Sequence, residues 1–104
     1  MSDFNVMQVM LDDGKDNALL RFTMGSAFYK HQKYTEAIEQ LAVAVKLKPD
    51  FISAWLLYGK SLMENEEIEL AQKIIRKGIQ AARKSGDTEA CEELQILLQK
   101  TGCI

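Results

Sequence analysis

A self-similarity at one fixed interval constrains this 104-residue chain more than any other feature of its sequence. Gly25 recurs as Gly59, and Ala37 recurs as Ala71 after the same interval, which we call the repeat interval. It also relates further residues of like size: Ala44 to Gly78, Met24 to Tyr58, Phe28 to Leu62, Tyr34 to Ile68 and Leu41 to Ile75. A fixed interval of about 34 residues is typical of a fold assembled from repeated helix pairs.

The matched residues have the spacing of helix faces. Met24 and Gly25 share a face with Phe28, because Phe28 follows them by four and three residues. A glycine inside a helix costs about 1 kcal/mol relative to alanine, so its recurrence indicates the close approach of a partner helix. Ala37 and Ala71 would supply the facing small surface. The sequence therefore predicts antiparallel helix pairs that touch closely at these positions.

This pattern resembles the tetratricopeptide repeat (TPR), whose signature is W-x2-L-G-x2-Y followed by A-x3-F. The second copy carries it at Trp55, Tyr58, Gly59, Leu62, Ala71 and Ile75. The first copy carries it at Met24, Gly25, Phe28, Tyr34, Ala37, Leu41 and a closing Pro49. Arg21 stands where the family has tryptophan, and Arg83 stands where the second copy would close on proline. The resemblance implies an all-α fold, a right-handed superhelix of antiparallel helix pairs.

We expect one domain over residues 1–104 with about six helices, since a chain of this length supports one continuous core. Repeat 1 is expected to span residues 18–51, and repeat 2 to span residues 52–85. Residues 3–13 resemble the second helix of a degraded repeat and are predicted to form an N-terminal capping helix. Residues 87–100 combine an apolar stripe with acidic residues elsewhere, which predicts a C-terminal capping helix.

Local residue types predict where the helices begin and end. Asp16 and Asn17 form a typical start for the first helix of repeat 1. Pro49 stops its partner, because the residue before a proline disfavours the helical region. Asp50 is the expected cap of the third helix, and Glu66 is expected to begin the fourth.

Charge and hydropathy exclude several classes of protein. The net charge of -2 and the isoelectric point near 5.4 predict no binding to nucleic acid, which requires a basic surface. No uncharged apolar stretch approaches the roughly 18 residues of a membrane span, so no membrane association is predicted. The N-terminal stretch contains Asp3 and lacks the basic residues of a secretory signal, which predicts a cytoplasmic protein.

No arrangement of residues indicates catalysis or metal binding. The chain has one histidine, His31, which falls in a predicted turn where a solvated role is the ordinary one. Cys91 and Cys103 have neither a CxxC partner nor a neighbour with metal-ligand spacing. The sequence therefore predicts a non-enzymatic protein with no metal and no cofactor.

The resemblance also implies where a partner would bind. In the TPR family the first helix of each pair lines a concave groove that holds the ligand. The corresponding positions here are Phe22, Ser26, Tyr29, Leu56, Lys60 and Met63. This strip is apolar and aromatic-rich, with one lysine, and residues of these types are enriched at the centres of protein interfaces.

Some TPR co-chaperones grip a C-terminal carboxylate with lysine, asparagine and arginine side chains. The matching positions here offer no such cation or amide, so that ligand is not predicted. The leading hypothesis is an adaptor that binds a peptide or helix of another protein in the apolar groove. The alternatives are a homo-oligomer that fills its own groove, an accessory chaperone subunit of a larger complex, and burial of the strip within the chain.

Overall fold

The computed structural model describes residues 17–102, which form five α-helices. These are α1 (Ala18–Lys30), α2 (Tyr34–Leu47), α3 (Ile52–Glu64), α4 (Ile68–Ser85) and α5 (Thr88–Lys100). Helix α1 pairs with α2 and α3 pairs with α4, while α2 and α3 join the two pairs and α5 packs on α4. The predicted all-α fold is confirmed. The expected sixth helix, over residues 3–13, lies outside the described residues.

The helix boundaries follow the repeat interval. The first residues of α1 and α3, Ala18 and Ile52, are separated by that interval, and so are their last residues, Lys30 and Glu64. Helix α2 has 14 residues, whereas α4 has 18 and continues past the corresponding point. The difference arises because the second copy has no proline at the position of Pro49, so its helix continues for another turn.

In each pair the recurring glycine faces a buried side chain of the partner helix. A Cβ atom added at Gly25 would lie 2.7 Å from Cγ of Leu41, and one added at Gly59 would lie 2.6 Å from Cγ1 of Ile75. No Cβ atom fits at either distance unless the facing side chain, or the helix that carries it, moves. The glycines therefore set the spacing of both pairs, and the contact residues themselves recur at the repeat interval.

The turn inside each pair also repeats its backbone geometry. Gln32 and Glu66 both adopt a φ of 61°, which is in the left-handed region. In each turn the next residue donates its N–H to the carbonyl oxygen five residues earlier, at 2.9 Å, so a terminal helix carbonyl is satisfied. The prediction that Glu66 begins the fourth helix is therefore wrong. Glu66, with its left-handed backbone, lies in the turn between α3 and α4, and α4 begins at Ile68.

Glycine in place of Glu66 is expected to raise the free energy of unfolding by about 1 kcal/mol, because a residue with a Cβ atom is strained in the left-handed region. Urea unfolding followed by circular dichroism measures the change. The matched control is Glu67→Gly, since Glu67 has a φ of -95° and gains no relief. A stabilisation that is equal in both variants would contradict the assigned turn.

Side-chain caps begin two of the helices. The Asn17 side chain accepts a hydrogen bond from the N–H of Leu20 at 2.8 Å, which confirms the predicted start of α1. The Asp87 side chain accepts one from the N–H of Ala90 at 3.1 Å and begins α5. Both caps satisfy a backbone donor that the helix itself leaves without a partner.

The prediction that Asp50 caps α3 is wrong. Phe51 is the residue before that helix, and no side chain caps it. The Phe51 ring instead packs against Phe22 of α1, with ring centroids 4.9 Å apart, and the Lys48 ammonium lies 5.7 Å from the Phe51 centroid. Packing between the two helix pairs, and not a polar cap, holds the chain at this point.

The main core lies between α3, α4 and α5. Its buried residues are Leu62, Ala71, Ile74, Ile75, Ile79, Ala82, Leu94 and Leu97. Leu94 and Leu97 lie on the predicted apolar stripe of α5, and the acidic residues Glu89, Glu92 and Glu93 are exposed. Helix α5 thus covers apolar surface of the second pair.

Candidate functional site

Helices α1, α3 and α5 lie side by side, because α3 contacts both of the others although its own partner is α4. We call the surface that these three helices share the α1–α3–α5 face. Two hollows open on it, with volumes of about 170 Å³ and 230 Å³. Both hollows are lined by Lys60, Leu97 and Lys100, so they are adjacent.

The hollows bring together four of the six residues that the sequence predicted for the groove. The larger hollow is lined by Tyr29, Lys60, Met63, Glu64, Leu97 and Lys100. The smaller hollow is lined by Leu56, Lys60, Glu93, Ile96, Leu97 and Lys100. The lining is therefore mixed, with apolar side chains beside two lysines and two glutamates.

Phe22 and Ser26, the other two predicted groove residues, line neither of these hollows. Phe22 is half-buried and contributes to the cluster around Ala44 and Ala54, where the two helix pairs meet. Ser26 is half-buried on α1. The part of the face nearest the start of α1 thus takes part in packing between the repeats.

Helix α5 contributes residues to the lining of the two hollows that the sequence analysis did not assign. Glu93, Ile96, Leu97 and Lys100 follow one another at i, i+3, i+4 and i+7, which is the spacing of a single helix face. Ile96 is 55% exposed, so its apolar side chain is open to a partner at this part of the face. This spacing was visible in the sequence and could have identified the α5 contribution.

The environment of Tyr29 favours its neutral form. Its ring meets Tyr34 edge to face, with centroids 5.6 Å apart and an interplanar angle of 65°. Burial raises the pKa of the Tyr29 phenol, and the Glu64 carboxylate and Tyr34 raise it further. At neutral pH the hollow therefore contains an uncharged phenol that can donate a hydrogen bond.

We expect Tyr29→Phe to weaken the dependence of stability on alkaline pH. The folded protein holds the Tyr29 proton more tightly than the unfolded chain, whose tyrosines lose it near pH 10. The higher pKa of Tyr29 in the folded protein than in the unfolded chain contributes stability at lower pH. This contribution is lost as the pH rises above about 10. Urea midpoints measured from about pH 8 to about pH 11 for both proteins test this expectation. Identical pH dependence in the two proteins would contradict it.

Two further properties concern the described part of the chain. None of its helices is long and apolar enough to cross a membrane. Within residues 17–102, no three histidine, cysteine, aspartate or glutamate side chains are grouped as a metal site requires.

Sequence comparison with known proteins supports the helix-pair repeat described above. A family model described as "TPR repeat" matches residues 16–65. The chain is 31% identical over 94 residues to TPR repeat-containing protein PA0015 of Pseudomonas aeruginosa, and the alignment covers 90% of each protein. The family model spans α1, α2 and α3 and ends before α4, whereas the alignment with PA0015 covers most of the chain.

Solved structures show the same fold. The solution structure of protein BPP2914 from Bordetella parapertussis superposes with a TM-score of 0.84 at 30% identity, covering 98% of this chain and 89% of that one. The crystal structure of a tetratricopeptide repeat domain protein from Salinibacter ruber has a TM-score of 0.75 at 22% identity, covering 83% and 97%. The second likeness shows the fold alone. Because it shares its sequence and fold with these relatives and repeats its glycine contacts and turns, the chain belongs to the tetratricopeptide repeat family.

Proposed function

We propose that the α1–α3–α5 face binds a short segment of another protein and that the protein acts as a non-enzymatic adaptor. TPR proteins generally mediate protein–protein interactions, and the family is typically non-enzymatic. The observation that carries the proposal is the pair of adjoining hollows, which share Lys60, Leu97 and Lys100. A partner segment could occupy both at once.

The size of the hollows favours a peptide over a small molecule. Each measures about 170 to 230 Å³, which is below the roughly 300–1,000 Å³ of a typical small-molecule pocket. Hollows of this size suit single side chains that project from an extended or helical segment. The segment itself would then lie along the face.

The chemistry of the lining indicates which side chains fit. Leu56, Met63 and Ile96 offer apolar contact, and Tyr29 adds an aromatic ring with a hydroxyl group. Lys60 and Lys100 provide cations between the two hollows, while Glu64 and Glu93 line one hollow each. A partner segment with apolar side chains and a few complementary charges satisfies this arrangement.

Ile96→Glu tests the proposal, because Ile96 is 55% exposed and its replacement should leave the fold intact. We expect affinity capture of the dominant partner from the source organism to fall at least about tenfold, since a charge would be desolvated on binding. Leu47→Glu is the matched control, because Leu47 is 50% exposed on α2 and lines neither hollow. Circular dichroism of both variants checks helicity.

Two results would contradict the proposal. One is unchanged capture by Ile96→Glu, and the other is an equal loss in Leu47→Glu. Light scattering over a concentration series separates the competing hypothesis of self-association. A homo-oligomer that dissociates on Ile96→Glu would show that a second copy of the chain occupies the face.

A further inference from the structure

A third hollow, larger than the other two, lies elsewhere on the molecule. Its volume is about 550 Å³, and it is lined by Pro49, Asp50, Trp55, Lys77, Gln80, Ala81, Lys84 and Ser85. It shares no residue with the hollows of the α1–α3–α5 face. Its walls are the connection between α2 and α3, the start of α3, and one side of α4. We call it the Trp55 hollow.

The Trp55 ring forms a fixed wall of this hollow. Its indole N–H donates a hydrogen bond to the carbonyl oxygen of Pro49 at 2.7 Å. The ring also stacks on Tyr58, with centroids 6.4 Å apart and an interplanar angle of 18°. Because the N–H group is already bonded within the chain, the ring offers a ligand only its apolar surface.

The opposite wall, on α4, is cationic. Lys77, Gln80, Ala81 and Lys84 follow at i, i+3, i+4 and i+7, so they share one helix face. Two ammonium groups therefore flank a small alanine, and the Gln80 amide and the Ser85 hydroxyl are nearby hydrogen-bonding groups. Among the lining residues within the described part of the chain, Asp50 is the only carboxylate, and it belongs to the α2–α3 connection. The charge of the lining is positive on the α4 side.

We propose that the Trp55 hollow binds a small organic anion with a flat apolar part, such as an aromatic carboxylate. The flat part would lie against the Trp55 ring, and the anionic group would face Lys77 and Lys84. The volume lies within the range of small-molecule pockets, unlike that of the hollows on the α1–α3–α5 face. This binding is independent of the proposed protein-binding function.

The single tryptophan of the chain makes the site directly observable. In a ¹H–¹⁵N spectrum of the labelled protein, the one indole N–H cross-peak belongs to Trp55. We expect 3-phenylpropionate to shift this peak and the Lys77 and Lys84 amides saturably, with a Kd on the order of 1 mM, as suits a probe of this size. Its uncharged analogue, 3-phenylpropionamide, should bind at least about tenfold more weakly, because it lacks the charge-assisted contacts.

The double variant Lys77→Glu/Lys84→Glu should lose this binding, since both side chains are exposed and their replacement leaves the packing unchanged. Lys73→Glu is the matched control, being an exposed lysine of α4 outside the hollow. Three results would overturn the proposal: no saturable shift of the indole peak at millimolar probe, equal binding of the amide, or equal binding to the double variant. Saturable shifts confined to Lys60 and Lys100 would overturn it too, by placing the probe on the α1–α3–α5 face.

Discussion

Replacing Gly59 with leucine is expected to lower the free energy of unfolding by about 3 kcal/mol. Even the first added carbon would stand 2.6 Å from Cγ1 of Ile75 and 3.5 Å from Cδ2 of Leu97. Ile75 is fully buried and Leu97 is 7% exposed, so neither side chain can swing into solvent. Helix α3 would have to move away from α4 and α5, and all three helices would lose contact.

Urea unfolding of Gly59→Leu measures this effect, and Ser53→Leu is the matched control. Ser53 is an exposed residue of the same helix, so a leucine there adds the same side chain without entering the core. We expect the control to change stability by no more than about 0.5 kcal/mol. Equal stability of the two variants would mean that Gly59 does not face Ile75.

Truncating Leu94 to alanine is expected to cost about 2–5 kcal/mol. The Leu94 side chain is fully buried, and its methyl carbons lie 3.2 Å and 3.3 Å from the position of a Cβ atom at Gly78. It therefore fills the space that this glycine opens on α4. Its removal would leave a cavity between α4 and α5, since the helices cannot collapse fully into the gap.

Ile96→Ala provides the comparison for Leu94→Ala within the same helix. Ile96 is 55% exposed, so its truncation should change the free energy of unfolding by about 0.5 kcal/mol or less. Thermal unfolding by circular dichroism suffices for both variants. A larger loss from Ile96 than from Leu94 would show that α5 is rotated about its axis relative to the described packing.

Much of the fold was predictable because steric contact constrains residue size. Gly25 and Gly59 have no room for a Cβ atom, and the repeat interval between them identified which helices pair. Asn17 was predictable as a cap because its side chain supplies the acceptor that a helix start requires. Each of these features depends on contacts close in sequence or repeated within it.

The turns were not predictable from residue type. Gln32 and Glu66 adopt a left-handed conformation that glycine prefers, so their side chains gave no indication of it. At Asp50, packing of Phe51 on Phe22 took the place of a side-chain cap. In both cases the surrounding helices determine the backbone conformation, and the local preference is overridden.

The α5 part of the α1–α3–α5 face was missed for a different reason. Helix α4 is longer than α2, because Arg83 stands where the first repeat has Pro49 and the helix does not stop there. The start of α5 is therefore displaced from the repeat interval, although Leu97 still lies one interval after Met63. Groove positions carried forward by that interval could not reach Ile96 or Lys100.

Site-specific photo-crosslinking in the source organism tests most directly whether the α1–α3–α5 face holds a segment of another protein. A benzoylphenylalanine residue is placed at Ile96 in one variant and at Lys73, an exposed position of α4 outside both hollows, in a second. We expect the Ile96 position to crosslink to one segment of a single dominant protein, and the Lys73 position to give no such product. The proposal would be contradicted if only the Lys73 position captured that protein, or if the Ile96 position crosslinked only to a second copy of this chain.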